Sequence, residues 1–369
     1  MRDKITAIIF LIFILVFGIG FLLLPDREFS EMENRKLSQC PVFSVSSFLK
    51  GDYTADFEAY MSDQMLLKDT LVTVKVDTVK AMGHRLVNGV FFGADGYLIQ
   101  QYGKPGEQLQ ENIGHIKAFA ESAGLPVTFL LSPNVSEIYP EKLPALAACY
   151  SQKEVISGVE AELEGSLSFV DATDILLAHK SEDLFFKTDH HWNMKGAYYG
   201  YEALMESLGL SAKPLSEYEE TEGSGAFYGS LYSKAPSGSQ VSDILTLYKN
   251  PNGEYLVNYV QEADTAEDLF ALENLEIKDK YTVFLDGNHP YITIDSNAEE
   301  KENVLVLKDS YAHALLPFLA DSFGHLEILD LRYFHNDLQQ FIEEHQIDRI
   351  IMIYNVDFLS SDVNFLWLD

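Results

Sequence analysis

Cysteine is almost absent from this sequence, because Cys40 and Cys149 are the only two among its 369 residues. Two cysteines so far apart in the chain cannot build a disulfide framework, nor the closely spaced ligand pairs of a zinc ribbon or knuckle. They would pair with each other only if the fold brought them close. We therefore expect neither a disulfide scaffold nor a structural zinc site.

Positive charge is also scarce. The chain has 26 Lys and Arg against 57 Asp and Glu, which gives a formal net charge of −31 at pH 7. Such a surface repels phosphate groups instead of neutralising them, so nucleic acid is not an expected partner, and strongly polyanionic glycans are disfavoured as substrates. Disorder is not expected either, because 47% of the residues are apolar.

Charge is missing altogether from the run ITAIIFLIFILVFGIGFLLL, which fills most of residues 1–24. Twenty helical residues cover roughly the 30 Å thickness of the hydrocarbon core of a bilayer. Arg2 and Lys4 precede the run, and Asp26 and Glu28 follow it, so the positive-inside rule leaves the N-terminus in the cytoplasm and the main domain outside. We expect a single-pass anchor in the cell membrane. A cleaved signal peptide is the alternative, although the run is longer than the usual apolar region of such peptides.

Two further regions follow the anchor. Residues 25–85 have apolar side chains at near-helical intervals and predict a helical neck. Residues 86–369 predict the main domain. Its expected strands are 127–131, 167–170, 304–307, 326–329 and 349–354, and its expected helices are 109–122, 155–163, 194–208 and 337–344. This alternation predicts an α/β fold with a mostly parallel sheet flanked by helices. The acidic segment 211–280 breaks the rhythm, and we interpret it as an insertion over one edge of the sheet that could act as a lid.

The densest group of polar residues is TDHHWN, residues 188–193, just before the predicted helix 194–208. A carboxylate two residues before a histidine can accept its Nδ1–H and leave Nε2 as a base, and Asp189 and His191 have this spacing. One alternative is a purely structural cluster. Another is metal binding by Asp189, His190 and His191, which is weaker because the sequence contains no HExxH motif or similar helical pair.

A second group of polar residues is VLVLKDSYAH, residues 304–313, in which a buried-looking strand ends at Asp-Ser. Ligands of α/β folds bind at the carboxyl ends of the strands, so Ser310 is the candidate nucleophile. Lys308 and Ala312 stand where the elbow of α/β-hydrolases has glycine. A serine after a strand is usually a cap or turn residue, and Ser310 becomes a candidate only together with the Asp-His pair.

Two glycine-containing turns offer donors for an oxyanion. They are GAFYGSLYSK, which contains Gly229, and DGNHP, which contains Asn288. Their backbone N–H groups or the Asn288 amide could complement the N–H of Ser310 itself. Either turn could equally be an ordinary loop.

Four other side chains are candidates for contacts with a substrate. Trp192 and Tyr311 each stand beside a proposed catalytic residue, and exposed aromatic rings stack well on sugars. Arg332 follows a predicted strand and could reach the same edge of the sheet, with a salt bridge to Asp330 as the alternative. His190 lies between the two proposed triad members.

These motifs resemble the DHHW family, named for the residues that stand here at 189–192. The likeness also covers FSEMENRKL, NGVFFGADGYLI, FYGSLYSK, FLDGNHP, KDSYAHALLPFL and DLRYF. The family is similar to the alginate O-acetylation proteins, which have an SGNH-hydrolase-like domain. The resemblance implies Asp189 as the residue that orients the imidazole, His191 as the base and Ser310 as the nucleophile, with His190 in a variable position.

Lys308 departs from the Gly-Asp-Ser of the wider SGNH group, which bears on the oxyanion geometry. The Asp-His element precedes the serine in the chain, and this order favours the acetylation branch. The resulting hypothesis is an extracytoplasmic serine O-acyltransferase that passes an acetyl group to a hydroxyl of a cell-surface or exported polysaccharide and needs no cofactor.

Because acetyl-coenzyme A is cytoplasmic, this hypothesis implies a membrane-bound O-acyltransferase as a partner that supplies acetyl groups. Two alternatives stay open. One is a carbohydrate esterase that uses the same triad, with water as the acceptor. The other is a non-catalytic binding or assembly module of the cell envelope.

Overall fold

The structure is a computed structural model that describes residues 2–368, with side chains from residue 4 onwards. The chain divides into two units. One comprises the residues up to Asn88 together with Tyr232–Gln240, and the other comprises Gly89–Leu231 and the chain from Val241 onwards.

The first unit begins with the helix α1, Arg2–Leu23. Its segment Lys4–Leu23 is long and apolar enough to cross a membrane, and none of it is buried. A signal sequence can have the same length and apolar composition, so the structure supports an apolar helix that could span a membrane and does not distinguish an anchor from a signal sequence. The other elements of this unit are β1 (Phe29–Ser30), β2 (Arg35–Lys36), α2 (Val45–Lys50), α3 (Asp52–Asp63), α4 (Lys68–Ala81) and β3 (Leu86–Val87).

A buried carboxylate holds part of the first unit together. Both oxygens of Asp63 accept hydrogen bonds from the guanidinium of Arg35, at 2.6 and 2.9 Å. Lys68 Nζ lies 2.8 Å from Asp63 Oδ1, and the Ser38 backbone N–H donates to Oδ2. The hydrogen bond from Arg35 is the main reason that the pKa of Asp63 lies far below its usual value, against the effect of burial.

The second unit is built on an eight-stranded sheet. Its strands and those of two smaller pairings are β4 (Val90–Phe92), β5 (Leu98–Gln100), β6 (Val127–Ser132), β7 (Ser168–Asp171), β8 (Glu219–Phe227), β9 (Asp243–Lys249), β10 (Tyr255–Tyr259), β11 (Asp264–Ala266), β12 (Tyr291–Ser296), β13 (Glu300–Lys308), β14 (Phe323–Leu329) and β15 (Arg349–Asn355). The helices are α5 (Glu107–Ser122), α6 (Val135–Ile138), α7 (Gln152–Leu163), α8 (Thr173–Ala178), α9 (Met194–Ser207), α11 (Leu316–Ala320), α12 (Leu338–Glu344) and α13 (Val356–Ser361). The short helix α10 (Ser230–Lys234) begins in this unit and ends in the first.

The strand order of the large sheet is β11-β10-β12-β14-β13-β15-β6-β7. From β14 to β7 the neighbouring strands are parallel, and from β11 to β14 they are antiparallel. The predicted α/β fold with a mostly parallel sheet is confirmed, and the predicted strands are the five that form its parallel part.

Alternate residues of the central strand β13 enter two hydrophobic cores on opposite faces of the sheet. Val304 and Val306 pack in one core, and Leu305 and Leu307 pack in the other. Strands covered on both faces read as continuous apolar runs, which is why this part of the sheet could be predicted.

The acidic segment 211–280, expected as an insertion, divides into two parts in the structure. β8 and β9 pair with each other in a separate antiparallel sheet. β10 and β11 extend the antiparallel edge of the large sheet, where β10 pairs with β12. Its second half therefore belongs to the sheet itself.

Candidate active site

Ser310 begins a short 3₁₀ turn, Ser310–Ala314, directly after β13. His191 Nε2 lies 2.8 Å from Ser310 Oγ, and His191 Nδ1 lies 2.6 Å from Asp189 Oδ1. Asp189 and His191 are buried, whereas Ser310 is half-buried. The structure thus joins a hydroxyl, an imidazole and a carboxylate in one hydrogen-bonded row, although His191 and Ser310 are 119 positions apart in the sequence.

Asp189 is held by the backbone of the turn after β8. Its Oδ2 accepts a hydrogen bond of 2.6 Å from the Ser230 N–H, and its Oδ1 also accepts one from the His191 N–H. Burial alone would raise the pKa of Asp189, but the charges of His191 and His190 and these hydrogen bonds keep it below its usual value. Asp189 is therefore a carboxylate, the form that accepts a hydrogen bond from an imidazole.

Gly229 packs directly against Asp189. A Cβ atom at this position would lie 2.3 Å from both Cβ and Oδ2 of Asp189, so a side chain here would displace the carboxylate. The Gly229 N–H donates to Thr188 Oγ1 at 3.0 Å. This N–H is already engaged, so the predicted oxyanion role does not fit Gly229, which instead leaves room for Asp189.

Two aromatic rings contact the imidazole of His191. Tyr281 stacks on it with ring centroids 3.9 Å apart and planes inclined by 5°, and the ring of His190 lies 3.8 Å away on a tilted plane. The Tyr281 hydroxyl donates to the carbonyl oxygen of Ser310 at 3.1 Å. His190 Nδ1 lies 2.7 Å from Ser230 Oγ, which fixes the plane of the second ring. Tyr281 was missed in the sequence because it lies in an irregular 3₁₀ turn without periodic pattern.

The family model described as DHHW protein matches residues 149–329 of this chain. This segment contains the Asp-His-His-Trp turn and Ser310. The resemblance to the DHHW family is confirmed.

Solved structures share the fold of most of this chain. A DHHW family protein from Eubacterium siraeum is 23% identical, with a TM-score of 0.67, and the match covers 77% of this chain and 95% of that one. PatB1 of Bacillus cereus is 25% identical, with a TM-score of 0.63, and the match covers 73% of this chain and 97% of the PatB1 chain. A PatB1 structure with a sulfonyl adduct is 24% identical, with the same TM-score, and covers 75% and 97%. No curated protein matches the chain significantly.

A more distant likeness is to the O-acetyltransferase domain of Pseudomonas putida AlgJ. It is 17% identical, with a TM-score of 0.47, over 76% of this chain and 97% of that one. The α/β fold with a mostly parallel sheet that the DHHW resemblance implied is the fold observed here.

The tryptophan of the DHHW motif is fully buried. Trp192 has an exposed fraction of 0%, and its Nε1–H donates to the carbonyl oxygen of Tyr311 at 2.8 Å. Tyr311 is 2% exposed, and its hydroxyl contacts Asn134 Oδ1 and the carbonyl oxygen of His190. The prediction that these two rings stack on a sugar is therefore wrong for this conformation. They join the turn of the histidines to the turn of the serine.

Asp309 fixes the start of the 3₁₀ turn. Its Oδ1 accepts from the Tyr311 N–H and its Oδ2 from the Asn355 N–H, both at 2.8 Å. Burial raises the pKa of Asp309 to about 6. Asn355 ends β15, the neighbour of β13, and Asn134 follows β6, the next strand of the sheet. The Asn355 side chain donates to Asn134 Oδ1 at 2.6 Å. Asn134 was not predicted from the sequence, although its position after a parallel strand is a usable signal.

Lys308, the departure from Gly-Asp-Ser, points into the interior. Its side chain is fully buried, with Nζ 2.9 Å from Asp330 Oδ2 and 2.7 Å from His313 Nε2. Burial lowers the pKa of Lys308, and burial together with the Lys308 charge holds the pKa of His313 well below its usual value. A neutral imidazole can accept a hydrogen bond from the amine, so both contacts of Lys308 Nζ are with buried side chains of the interior.

Arg332 and Asn288 belong to the same network. Arg332 pairs with Asp330 through Nε at 2.9 Å and Nη2 at 2.5 Å, which is the salt bridge that was the alternative to a substrate contact. The same Nη2 donates to Asn288 Oδ1 at 2.7 Å. These contacts tie both side chains to Asp330, so the predicted substrate and oxyanion roles gain no support from them.

Asp189, His190 and His191 also offer ligand atoms that all lie within 4.8 Å of one another. A metal ion bound by His191 would compete with one of its two hydrogen bonds, to Ser310 or to Asp189. The arrangement as it stands suits proton transfer from a hydroxyl.

Proposed function

We propose that this chain is an extracytoplasmic serine O-acyltransferase that transfers acetyl groups to a cell-surface or exported polysaccharide. The observation that carries the proposal is the hydrogen-bonded row from Asp189 through His191 to Ser310, with separations of 2.6 and 2.8 Å. A hydroxyl in this arrangement can lose its proton to the imidazole as it attacks a carbonyl.

The reaction has two halves. In the first, Ser310 Oγ attacks the acyl carbonyl while His191 Nε2 takes its proton, and the tetrahedral intermediate expels the leaving group of the donor, which takes that proton from His191. In the second, His191 removes the proton of a glycan hydroxyl that attacks the acyl-serine, and Ser310 leaves with the proton. Asp189 stabilises the imidazolium in both halves and keeps its Nδ1–H oriented.

We propose two donors for the developing oxyanion. Ser310 is the first residue of its 3₁₀ turn, so its backbone N–H has no acceptor within that turn. The carbonyl end of the Asn134 amide is fixed by donors from Tyr311 and Asn355, which leaves its Nδ2 end as a donor at the same strand ends. Preorganised donors of this kind stabilise the charge that develops in acyl transfer.

The helix α1 supplies the proposed location. It would hold the catalytic unit on the outer face of the cell membrane, where a membrane-bound O-acyltransferase would deliver acetyl groups from the cytoplasm. The net charge of −31 favours a neutral over a strongly anionic glycan as acceptor.

The full chain in detergent micelles, incubated with p-nitrophenyl acetate, tests the catalytic part. We expect release of nitrophenol by the wild type, and a rate lower by about 10³-fold or more in Ser310→Ala and His191→Ala. The exposed Ser361→Ala, in α13, is the matched control and should keep the wild-type rate. A wild-type rate equal to that of Ser310→Ala would overturn the proposal and leave the non-catalytic binding module.

Addition of an oligosaccharide acceptor separates transfer from hydrolysis. A transferase should form an acetylated oligosaccharide, detected by mass spectrometry, at the expense of free acetate. Free acetate alone, with no acetylated product for any acceptor, would favour the carbohydrate esterase.

A further inference from the structure

A run of exposed apolar side chains follows the anchor in the first unit. We call residues 42–49 the apolar segment. Its exposed members are Val42 (91%), Phe43 (58%), Val45 (66%), Phe48 (50%) and Leu49 (78%). The helix α2 lies within this segment and has no buried residue at all. Single exposed apolar residues are common on protein surfaces, but a contiguous group of them marks a surface that binds a membrane or another protein.

A continuous row of aromatic rings connects this segment to the anchor helix. Neighbouring ring centroids are 5.1–6.0 Å apart in the series Phe21–Tyr60 (5.3 Å), Tyr60–Phe57 (6.0 Å), Phe57–Tyr53 (5.9 Å), Tyr53–Phe43 (5.1 Å) and Phe43–Phe48 (6.0 Å). Gly20 of the anchor also packs against Leu66, because a Cβ at Gly20 would lie 2.9 Å from Leu66 Cδ2. The outer end of α1 therefore rests on α3 and the loop after it, and the aromatic rings of α3 connect it to the apolar segment.

The start of the row fixes its depth relative to the bilayer. Phe21 lies in the last turn of α1, which in the proposed topology is at the outer boundary of the hydrocarbon. Aromatic side chains favour this boundary, where one end of the ring is in an apolar and the other in a wet environment. Tyr60 fits this pattern, because its ring contacts Phe21 and its hydroxyl donates to Asp26.

The charges nearby indicate which kind of partner covers the segment. Residues 41–53 contain one basic residue, Lys50, and one acidic residue, Asp52. Binding to anionic lipid headgroups or to an acidic protein would need a basic cluster, which these residues do not provide. The apolar anchor itself, none of which is buried, requires lipid around it.

We propose that the apolar segment is a second membrane contact that inserts Phe43, Phe48 and Leu49 into the interface of the bilayer beside the anchor. This inference rests on the proposed anchoring of the chain. It would hold the first unit against the membrane surface by burial of apolar side chains, with no requirement for anionic lipid.

Tryptophan quenching by brominated lipid tests the proposal in the full chain, reconstituted in phosphatidylcholine vesicles. Phe48→Trp places a reporter in the apolar segment, and Leu15→Trp places one in the anchor. Met82→Trp is the matched control, because Met82 is 73% exposed but follows the last residue of α4. The 14 residues of this helix place Met82 about 21 Å from the start of α4, which is the end near the anchor. The fluorescence of the native Trp192 and Trp367 is measured in the wild type and subtracted.

We expect bromine on the acyl chains to quench Phe48→Trp and Leu15→Trp strongly and Met82→Trp little. Quenching of Leu15→Trp without quenching of Phe48→Trp would overturn this inference while the anchor stands, and would be the result if a protein partner or a second copy covered the segment. Absence of quenching in Leu15→Trp would overturn the anchoring and this inference with it. Equal quenching of Phe48→Trp and Met82→Trp would show unspecific adsorption and would also overturn it.

Discussion

Tyr281 contacts both partners of the proposed proton transfer. Its ring stacks on His191 with centroids 3.9 Å apart, and its hydroxyl donates to the Ser310 carbonyl. Burial raises the pKa of Tyr281 well above its usual value, so the hydroxyl keeps its proton for this bond. One side chain thus fixes the plane of the base and the backbone of the nucleophile.

We expect substitutions of Tyr281 to lower kcat and leave KM unchanged, because the residue acts on the geometry of His191 and Ser310 and not on substrate binding. Tyr281→Phe removes one hydrogen bond and should cost about 2–10-fold in kcat. Tyr281→Leu also removes the stacked ring and should cost more. Steady-state kinetics with an activated acetyl ester measures both.

Tyr354→Phe is the control for these variants, because the buried Tyr354 hydroxyl has no hydrogen-bond partner among the described residues. It should keep the wild-type kcat. A Tyr281→Leu variant with wild-type kcat would remove Tyr281 from the positioning of the site.

Asp330 is the counter-ion of two cations, and its loss should be costly to stability. Burial would raise the pKa of Asp330, but Lys308 and Arg332 keep it below its usual value. Asp330→Ala leaves the fully buried amine of Lys308 without a counter-charge, so the free energy of unfolding should fall by about 3–5 kcal/mol in urea titrations.

Asp268→Ala is the matched control, because Asp268 pairs with Lys249 at the surface and both side chains are more than a third exposed. Its effect should stay below about 1 kcal/mol. Equal losses in the two variants would contradict a special role of the buried pair.

At the scale of elements, the turn after β8 determines where the carboxylate of the site lies. The Ser230 N–H binds Asp189 Oδ2, and the missing side chain at Gly229 leaves space for the carboxylate. Gly229→Ala should therefore displace Asp189 from His191 and lower kcat at least 10-fold, because the imidazole loses the group that orients it. Gly225→Ala, on β8 in the same motif, is the control, since its Cβ would meet only the flexible Glu222 side chain, at 3.0 Å.

If Gly229→Ala and Gly225→Ala had equal kcat values, the turn would not matter for the carboxylate. Circular dichroism of both variants separates this local effect from unfolding, because a displaced carboxylate leaves the secondary structure intact.

The same elements show what the sequence could and could not predict. β6, β13 and β15 were predictable because a strand buried on both faces is a continuous apolar run. β10 was not, because its residues alternate between exposed and buried positions in an acidic segment. Ser310 could be picked out because it follows a parallel strand, and ligands of α/β folds bind at the carboxyl ends of such strands. Its meeting with Asp189 and His191 was implied by the resemblance to the DHHW family.

The supporting side chains were harder to assign, because a sequence shows residue types and not exposure. Trp192 and Tyr311 looked like sugar platforms beside the triad, but the fold buries both. Arg332 looked available, but it is bound to Asp330. Tyr281 gave no pattern at all, since a 3₁₀ turn has no amphipathic period long enough to detect.

At the scale of the whole molecule, the excess of carboxylates dominates the electrostatics. With 57 acidic against 26 basic residues, most surface carboxylates cannot be paired, and their mutual repulsion opposes the folded state. Salt has two opposite effects here. It screens this repulsion, and it weakens surface ion pairs such as Lys249–Asp268, which are worth at most about 1 kcal/mol each.

Because the net charge is −31, we expect the relief of repulsion to prevail and the Tm of the full chain in detergent to rise with ionic strength. The rise should be steepest at low salt, since the Debye length falls from about 30 Å at 0.01 M to about 10 Å at 0.1 M. Sodium and potassium chloride should act alike, because screening depends on ionic strength and not on the cation. A Tm that falls with either salt would mean that ion pairs such as the one around Asp63 stabilise the molecule more than its net charge destabilises it.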